Sequence, residues 1–201
     1  MFYSGDDMLQ VRFHGRGGQG VVTAAEILSI AAFEQGLYAQ AFPSFGSERT
    51  GAPVMAFCRT DTKPIRLREP ILKPDAVVIQ DPTLLALAEL WAGVTQQTLI
   101  LINTEHTPAE IASALPHHLA HGRIVTVDAT RIAFEHVKRP LPNAALLGAL
   151  LAVVNPDWLA SLRLAITHKF SGTVGQRNAE AASAAWKVVS DSQLSTPVLS
   201  P

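Results

Sequence analysis

The segment that most constrains this chain joins a short apolar strand pattern to a long helical pattern through four glycines within six positions. The residues are Gly15, Gly17, Gly18, Gln19 and Gly20, and the first, third and sixth positions of the loop fit G-x-G-x-x-G. Glycine is needed where the backbone turns with a positive φ or approaches a ligand closely. The first turn of the following helix presents unpaired N–H groups and the positive end of its dipole, which favours an anion. A tight turn with only a structural role is the alternative, because this spacing alone is weak evidence.

Composition limits the classes of protein that need to be considered. The 201 residues suit one sizeable domain. Charged residues make up only 16% of the chain, against roughly 25% in an average soluble domain. So little charge predicts that partner subunits cover part of the surface, although an alanine-rich helical surface would also explain it. A formal net charge of −1, with no basic stripe, argues against nucleic-acid binding.

The single cysteine, Cys58, excludes an intrachain disulfide and any zinc or iron–sulfur site built from this chain's own thiolates. It lies in an alternating apolar run, which predicts a small core residue rather than a nucleophile. The run His117, His118 and His121 is interpreted as a solvated surface patch, so no metal ligand is assigned. Residues 1–7 show no targeting pattern and no apolar run reaches about 18 residues, which predicts a cytoplasmic protein that does not enter the membrane.

The expected second strand, residues 37–42, argues against a dinucleotide site. In dinucleotide-binding units this strand ends in an Asp or Glu that binds the ribose. Here Gln40 stands near the end of the strand and Phe42 and Pro43 follow. NAD or FAD bound in the usual way is therefore not expected. The loop also lacks the Gly-Lys-Ser/Thr of a P-loop enzyme.

A second candidate loop follows that strand and mixes turn formers with Ser44, Ser47, Glu48 and Arg49. If the first and second strands are parallel neighbours, this loop and the glycine loop emerge at the carboxyl edge of the sheet, where open α/β sheets bind ligands. Arg49 would then clamp an anion, with Glu48 or Ser47 fixing its side chain. A surface turn with an exposed Arg–Glu pair is the alternative.

The remaining pattern alternates strands and helices. The expected strands are residues 54–59 with a hairpin partner at 64–67, followed by 76–79, 98–102 and 124–127. The expected helices are residues 82–91, 107–119 and 130–137, then 144–154, 156–166 and 173–189. Asp81 and Asp128 directly follow strands, and we interpret them mainly as helix caps. Residues 146–151 are apolar on nearly all sides, which predicts a buried helix.

These elements predict an α/β fold: a single three-layer domain over residues 1–190, with a mostly parallel sheet, an antiparallel hairpin, helices on both faces and a helical C-terminal region. Residues 191–201, rich in Ser and Pro, are expected to be a disordered tail.

Several segments together resemble the gamma subunit of the 2-oxoacid:ferredoxin oxidoreductases. They are GRGGQG at 15–20, AFPSFGSERTGAPV at 41–54 and KPIR at 63–66. The resemblance extends to DPTL at 81–84, VDAT at 127–130, NAALLGA at 143–149 and QRN at 176–178, so it covers roughly residues 8–190.

The resemblance implies a subunit that is not catalytic alone, in a complex that oxidatively decarboxylates a 2-oxoacid. It implies that thiamine diphosphate, magnesium and 4Fe–4S clusters belong to other chains: alpha and beta subunits that bind thiamine, and a ferredoxin-like delta subunit. Members that reduce NAD add a flavin subunit. Both loops are then expected to contact coenzyme A at a subunit junction. A stand-alone mononucleotide-binding module and a purely structural assembly subunit are the alternatives. The oxoacid itself is not specified by this chain.

Overall fold

Six strands form one sheet in the computed structural model, which describes residues 8–44 and 51–195. They are β1 (Leu9–Arg16), β2 (Tyr38–Pro43), β3 (Pro53–Asp61), β4 (Ala76–Ile79), β5 (Leu99–Asn103) and β6 (Arg123–Val127). Their order across the sheet is β2-β3-β1-β4-β5-β6. β1, β4, β5 and β6 are parallel, whereas β3 is antiparallel to both of its neighbours. Every residue of β4 and β5 is buried, as expected of parallel strands covered on both faces.

Six α-helices accompany the sheet in the described part of the chain. They are α1 (Val21–Glu34), α2 (Pro108–Ile111), α3 (Ala129–Val137), α4 (Asn143–Val154), α5 (Leu159–Lys169) and α6 (Gly172–Ser195). One core joins the sheet to α1, α3, α4, α5 and α6, and a second core on the opposite face joins it to α2 and several 3₁₀ turns. The predicted α/β class, with helices on both faces and a helical C-terminal region, is therefore confirmed.

Helix α4 is the buried centre of the helical layer. All of its residues except Ala152 are buried, as its apolar pattern predicted. Gly148 lets α4 and α6 approach through their backbones, because a Cβ atom there would lie 1.9 Å from the carbonyl oxygen of Ala182. A larger residue at this position would force the two helices apart.

The antiparallel part of the sheet differs from the expectation. The predicted pairing of residues 54–59 with 64–67 is wrong, because β1 and β2 already occupy both edges of β3. The antiparallel hairpin is instead formed by β2 and β3. β1 and β2 are therefore not neighbours, although they run in the same direction because each is antiparallel to β3.

Several predicted helices are shorter or longer than expected. The helix expected over residues 82–91 is two 3₁₀ turns, Pro82–Ala86 and Ala88–Trp91, separated by extended backbone at Leu87. The helix expected to reach Leu119 ends at Ile111 and short turns follow. Leu115 between these turns is extended, as the residue before a proline usually is. α6 continues to Ser195, so residues 191–195 are helical rather than part of a tail. Residues 196–201 lie outside the described residues.

None of the helices in residues 8–44 and 51–195 is both long and apolar enough to cross a membrane.

Candidate functional site

The glycine loop lies at the carboxyl edge of the sheet, in the crevice between β1 and β4. The chain leaves β1 into α1 on one face of the sheet and leaves β4 into the 3₁₀ turn at 82–86 on the other face. Neighbouring strands whose connections diverge in this way form the crevice in which open α/β sheets bind ligands. The backbone N–H of Gln80 donates to the carbonyl of His14 at 2.8 Å, which holds the two strand ends side by side.

The glycines of the loop have different structural roles. Gly18 and Gly20 have φ values of +95° and +74°, which disfavour other residues there. A Cβ atom at Gly15 would lie 2.7 Å from Cγ2 of Val21, so this glycine allows close packing of strand and helix. Gly20 precedes α1, and no side chain of residues 8–44 or 51–195 caps that helix. The first-turn N–H groups of α1 have no partner within the helix itself.

Asp81 organises the side chains beside this loop. Its Oδ2 accepts from Nε of Arg16 at 3.1 Å and from Nε2 of Gln19 at 3.0 Å. Its Oδ1 accepts from the backbone N–H of Thr83 at 3.0 Å and from the Thr83 hydroxyl at 2.6 Å. Burial tends to raise the pKa of this carboxyl, but the hydrogen bonds from Thr83 and Gln19 and the charge of Arg16 together hold the pKa below its usual value. Asp81 is thus a cap, as predicted, and also the anchor of the glycine loop.

The end of the second candidate loop lies against the glycine loop. The backbone N–H of Gly17 donates to the carbonyl of Ala52 at 2.9 Å, and that of Gly51 donates to the carbonyl of Gly17 at 3.2 Å. Nη1 of Arg16 donates to the carbonyl of Gly51 at 3.1 Å. These three bonds fix where the loop rejoins the sheet.

The start of the second loop is Ser44, whose backbone N–H donates to the carbonyl of Met55 at 2.8 Å. Ser47, Glu48 and Arg49 lie outside the described residues, so their proposed contact with an anion stays a prediction.

Two buried amides beside the glycine loop were not selected from the sequence. Gln80 is 1% exposed, and among the described residues neither its Oε1 nor its Nε2 has a hydrogen-bond partner. Asn143 begins α4 and lies next to Gly20. The sequence signal for Gln80 is its position. It is the polar residue that follows the apolar run of β4 and directly precedes Asp81, which was predicted to be a helix cap.

A second crevice opens between β5 and β6 at the same edge of the sheet. It is a cleft of about 510 Å³ that includes Thr83, Asn103, Asp128 and Thr130 in its lining. Asn103 ties its walls together, because its Nδ2 donates to the carbonyl of Gln80 and to the hydroxyl of Thr130, each at 2.8 Å. Asp128 accepts from the backbone N–H of Arg131 at 2.9 Å, which is the predicted helix cap. These polar groups therefore form hydrogen bonds that stabilise the edge of the sheet.

Arg12 and His14 form a buried basic pair on the other face of β1. Nη2 and Nη1 of Arg12 donate to the carbonyls of Leu90 and Ala92, and its Nε donates to Nε2 of His14 at 2.9 Å. Burial and the charge of Arg12 lower the pKa of His14 to about 3, so its ring is neutral. The pair attaches the 3₁₀ turn at 88–91 to the sheet and does not reach the glycine loop.

The described residues contain no group of three or more His, Cys, Asp or Glu side chains that would hold a metal ion. Cys58 is buried, as predicted, and burial raises the pKa of its thiol. It is therefore a core residue and not a nucleophile.

Comparisons with known proteins agree on one family. The sequence matches the family model described as pyruvate ferredoxin/flavodoxin oxidoreductase over residues 10–188. It is 47% identical over 179 residues to the pyruvate/ketoisovalerate oxidoreductases common subunit gamma of Thermococcus kodakarensis, which spans 89% of this chain and 96% of that protein.

Solved structures show the same fold. The crystal structure of pyruvate oxidoreductase subunit PORC from Thermotoga maritima matches with a TM-score of 0.79 and 34% identity, over 90% of this chain and 97% of that one. The 2-oxoglutarate:ferredoxin oxidoreductase of Magnetococcus marinus, solved with 2-oxoglutarate, coenzyme A and succinyl-CoA bound, matches with a TM-score of 0.68 over 93% of this chain and 32% of that one. At 19% identity the second likeness concerns the fold alone.

Proposed function

The chain belongs to the pyruvate ferredoxin/flavodoxin oxidoreductase family as a gamma-type subunit, and from this premise we propose that it works in a cytoplasmic complex that oxidatively decarboxylates a 2-oxoacid to an acyl-CoA. The observation that carries the proposal is the 47% identity to a common gamma subunit along 96% of that protein's length. Alpha and beta subunits bind thiamine diphosphate and magnesium, and a ferredoxin-like delta subunit carries 4Fe–4S clusters. Electrons pass to ferredoxin, or through a flavin subunit to NAD.

The chemistry of this chain supports placing the redox cofactors on other subunits. A 4Fe–4S cluster needs about four thiolates, whereas the chain has one cysteine, which is buried. The described residues also offer no cluster of metal ligands. The low share of charged residues, 16%, fits a chain whose surface is partly covered by partners.

The contribution of the chain itself is to bind an anionic group, for which we propose the diphosphate of coenzyme A. The support is the uncapped N-terminus of α1 at the carboxyl edge of the sheet and the exposed turn at Gly18. Ser44 begins the second loop at this edge, and Ser47, Glu48 and Arg49 complete the site in this proposal. A protein of the same fold was solved with coenzyme A bound, which makes this ligand the first to test.

Co-purification tests the assembly. A tagged copy of the chain, expressed in its own host, should purify with thiamine-binding and ferredoxin-like partners and show the absorbance of iron–sulfur clusters. A chain that purifies alone and binds a mononucleotide tightly would instead be a stand-alone nucleotide module.

Kinetics of the intact complex test the anion site. Gly18→Val and Arg49→Ala should each raise the KM for coenzyme A with little change in the KM for the oxoacid. Gly36→Val is the matched control, because Gly36 has a similar positive φ of +77° with open space around it and lies at the opposite end of α1. If both loop variants assemble normally and keep the wild-type KM for coenzyme A, the loops serve only assembly.

A further inference from the structure

The segment that joins β3 to β4 carries a concentrated positive charge. Residues 63–73, which we call the basic arm, contain four of the 16 Lys and Arg residues of the chain but only one of its 17 Asp and Glu residues. The arm therefore has a formal charge of +3, whereas the whole chain has a formal charge of −1. The basic residues are Lys63, Arg66, Arg68 and Lys73, and the acid is Glu69.

The basic arm lies at the amino edge of the parallel strands. Thr60, near the end of β3, pairs with Leu9, the first residue of β1, and β4 begins after the arm at Ala76. The glycine loop is at the other end of β1, which has eight residues and therefore a length of roughly 25 Å. A partner bound at the arm would leave the glycine loop free.

The backbone of the arm is anchored near both of its ends. Oδ1 of Asp61 accepts from the backbone N–H of Lys63 at 2.9 Å. Nη2 of Arg59, a buried side chain, donates to the carbonyl of Glu69 at 2.8 Å, and Ile71 is buried. Two prolines between these anchors restrict the backbone further. The arm is thus preorganised without being a helix or a strand, which reduces the entropy lost on binding.

The positive charges of the arm are not neutralised within the described residues. All four of its basic residues are exposed, and none of them belongs to an ion pair formed in residues 8–44 and 51–195. Arg59 adds a positive charge beneath the arm, and it too has no ion pair in this part of the chain. The arm therefore presents several unpaired cations on a fixed backbone.

Apolar side chains are exposed among these charges. Leu67 is 40% exposed and Leu72 is 72% exposed, and the arm contains no aromatic residue. Protein interfaces combine apolar contacts with hydrogen bonds from Arg to carboxylates. Proteins that bind single-stranded nucleic acid instead rely on aromatic side chains that stack on the bases. The composition of the arm therefore favours an acidic protein over a nucleic acid.

We propose that the basic arm is a docking surface for an acidic segment of a partner subunit. Asp and Glu carboxylates of that segment pair with Arg66 and Arg68, and its apolar side chains contact Leu67 and Leu72. A guanidinium group binds a carboxylate through two parallel hydrogen bonds, which fixes the orientation of the partner. The positive charge of the arm also steers an acidic partner toward it. The inference rests on the proposed function only for placing this partner within the oxidoreductase complex.

Calorimetric titration of the full chain with short poly-L-glutamate tests the chemistry of the surface. The wild-type chain should bind at low ionic strength, and its affinity should fall as salt is added. Arg66→Glu combined with Arg68→Glu should weaken binding at least about tenfold. The melting temperature of this double variant should stay close to that of the wild type, because both side chains are exposed and without ion pairs. A loss of affinity can then not be ascribed to unfolding.

Arg139→Glu combined with Lys187→Glu is the matched control. Arg139 follows α3 and Lys187 lies on α6, and both residues are exposed. This pair changes the net charge by the same amount and should leave the affinity for poly-L-glutamate unchanged. Single-stranded DNA of the same length should bind more weakly than poly-L-glutamate. Tighter binding of the DNA through Arg66 and Arg68 would overturn the assignment to an acidic protein.

Photo-cross-linking in the purified complex tests the partner. A photo-reactive residue in place of Leu67 should cross-link to a segment of another subunit that is rich in Asp and Glu, which mass spectrometry identifies. The same photo-reactive residue in place of Leu164, which is 41% exposed on α5, should not cross-link to that segment.

The docking surface is overturned if the wild-type chain does not bind poly-L-glutamate, or if the Arg66 and Arg68 double variant binds it as the wild type does. It is also overturned if position 67 cross-links only to a second copy of the chain or to no protein. A complex that assembles but gives no cross-link from position 67 removes the docking surface alone. A chain that binds poly-L-glutamate through Arg66 and Arg68 but purifies without thiamine-binding or ferredoxin-like partners removes the oxidoreductase assignment alone.

Discussion

Replacing Asp81 with Asn tests whether this carboxylate organises the glycine loop. The amide oxygen of Asn can still accept from Thr83, but its NH₂ group then faces two donors, Nε of Arg16 and Nε2 of Gln19. The variant therefore loses two hydrogen bonds to the ionised carboxylate, one from the charged Arg16 and one from the neutral amide of Gln19. The bond that joins two charged groups is worth about 1.5 to 3 kcal/mol, and the bond from the amide about 1 to 1.5 kcal/mol. Because the side chain of Arg16 is 34% exposed, its hydrogen bond to Asp81 is placed at the lower end of its range. The free energy of unfolding should therefore fall by about 2 to 3 kcal/mol.

Asp128→Asn is the matched control. Asp128 also follows a strand and caps a helix, through the backbone N–H of Arg131. Its ion pair is with the Arg131 side chain, which is 63% exposed. Asn caps a helix as well as Asp does, and an exposed ion pair contributes at most about 1 kcal/mol to stability. The free energy of unfolding of this variant should therefore fall by less than about 1 kcal/mol.

Urea unfolding followed by circular dichroism measures both variants, with the slope of each transition checked for constancy. The pKa of Asp81 is lower in the folded chain than in the unfolded chain. Its stabilising contribution is therefore fully present above the unfolded pKa of about 4 and is lost as pH falls through the folded value. The difference in the free energy of unfolding between the wild type and Asp81→Asn should therefore become smaller at acidic pH. Equal losses from Asp81→Asn and Asp128→Asn at neutral pH would refute the reasoning.

Two more predictions concern the core. Gly148→Ala should destabilise the chain by about 1 to 2 kcal/mol, because a clash with the carbonyl of Ala182 outweighs the gain of about 1 kcal/mol in helix propensity. Thermal unfolding measures it, with Ala160→Gly on the exposed side of α5 calibrating propensity, and a variant as stable as wild type would contradict the close packing. His14 should stay neutral in NMR titrations down to about pH 5, since its pKa is lowered to about 3. In the unfolded chain the His14 ring binds a proton near its ordinary pKa of about 6.5. His14 therefore lowers the free energy of unfolding as pH drops from about 6.5 toward 3. A titration of His14 near its ordinary pKa would count against its burial with Arg12.

The parallel half of the sheet was predictable because its signals are local. Continuous apolar runs at β4 and β5 define strands buried on both faces, and the glycines after β1 mark a turn into a helix. The capping box of Thr107 and Glu110 is equally local, since it depends only on residues three positions apart.

The antiparallel half was not predictable in the same way. Residues 64–67 carry a plausible strand pattern, but which strand occupies each edge of β3 depends on the whole sheet. Leu87 similarly interrupts a stretch whose periodicity suits a helix, because the turns at 82–91 pack on β4 and β5 and bring Leu90 to Arg12.

The backbone of the candidate site could be predicted from the sequence, but the side-chain contacts around it could not. Glycines that turn before a helix are visible in sequence, whereas the pairing of Arg16 with Asp81 joins residues 65 positions apart. Gln80 and Asn143 became candidates only when their burial and partners were known. Asp81 illustrates the difference, because the cap that it forms is local and its hold on Gln19 is not.

The position of β3 between β1 and β2 limits how this fold can be re-engineered. In a dinucleotide-binding unit the second strand lies directly beside the first, so its terminal acid reaches the ribose of a cofactor held by the glycine loop. Here one strand intervenes, which places the end of β2 roughly 9 to 10 Å from β1 at ordinary strand spacing. Introducing an acid at Gln40 or Phe42 would therefore not create NAD specificity. The order of the strands, more than any single residue, therefore excludes the usual dinucleotide arrangement at this glycine loop.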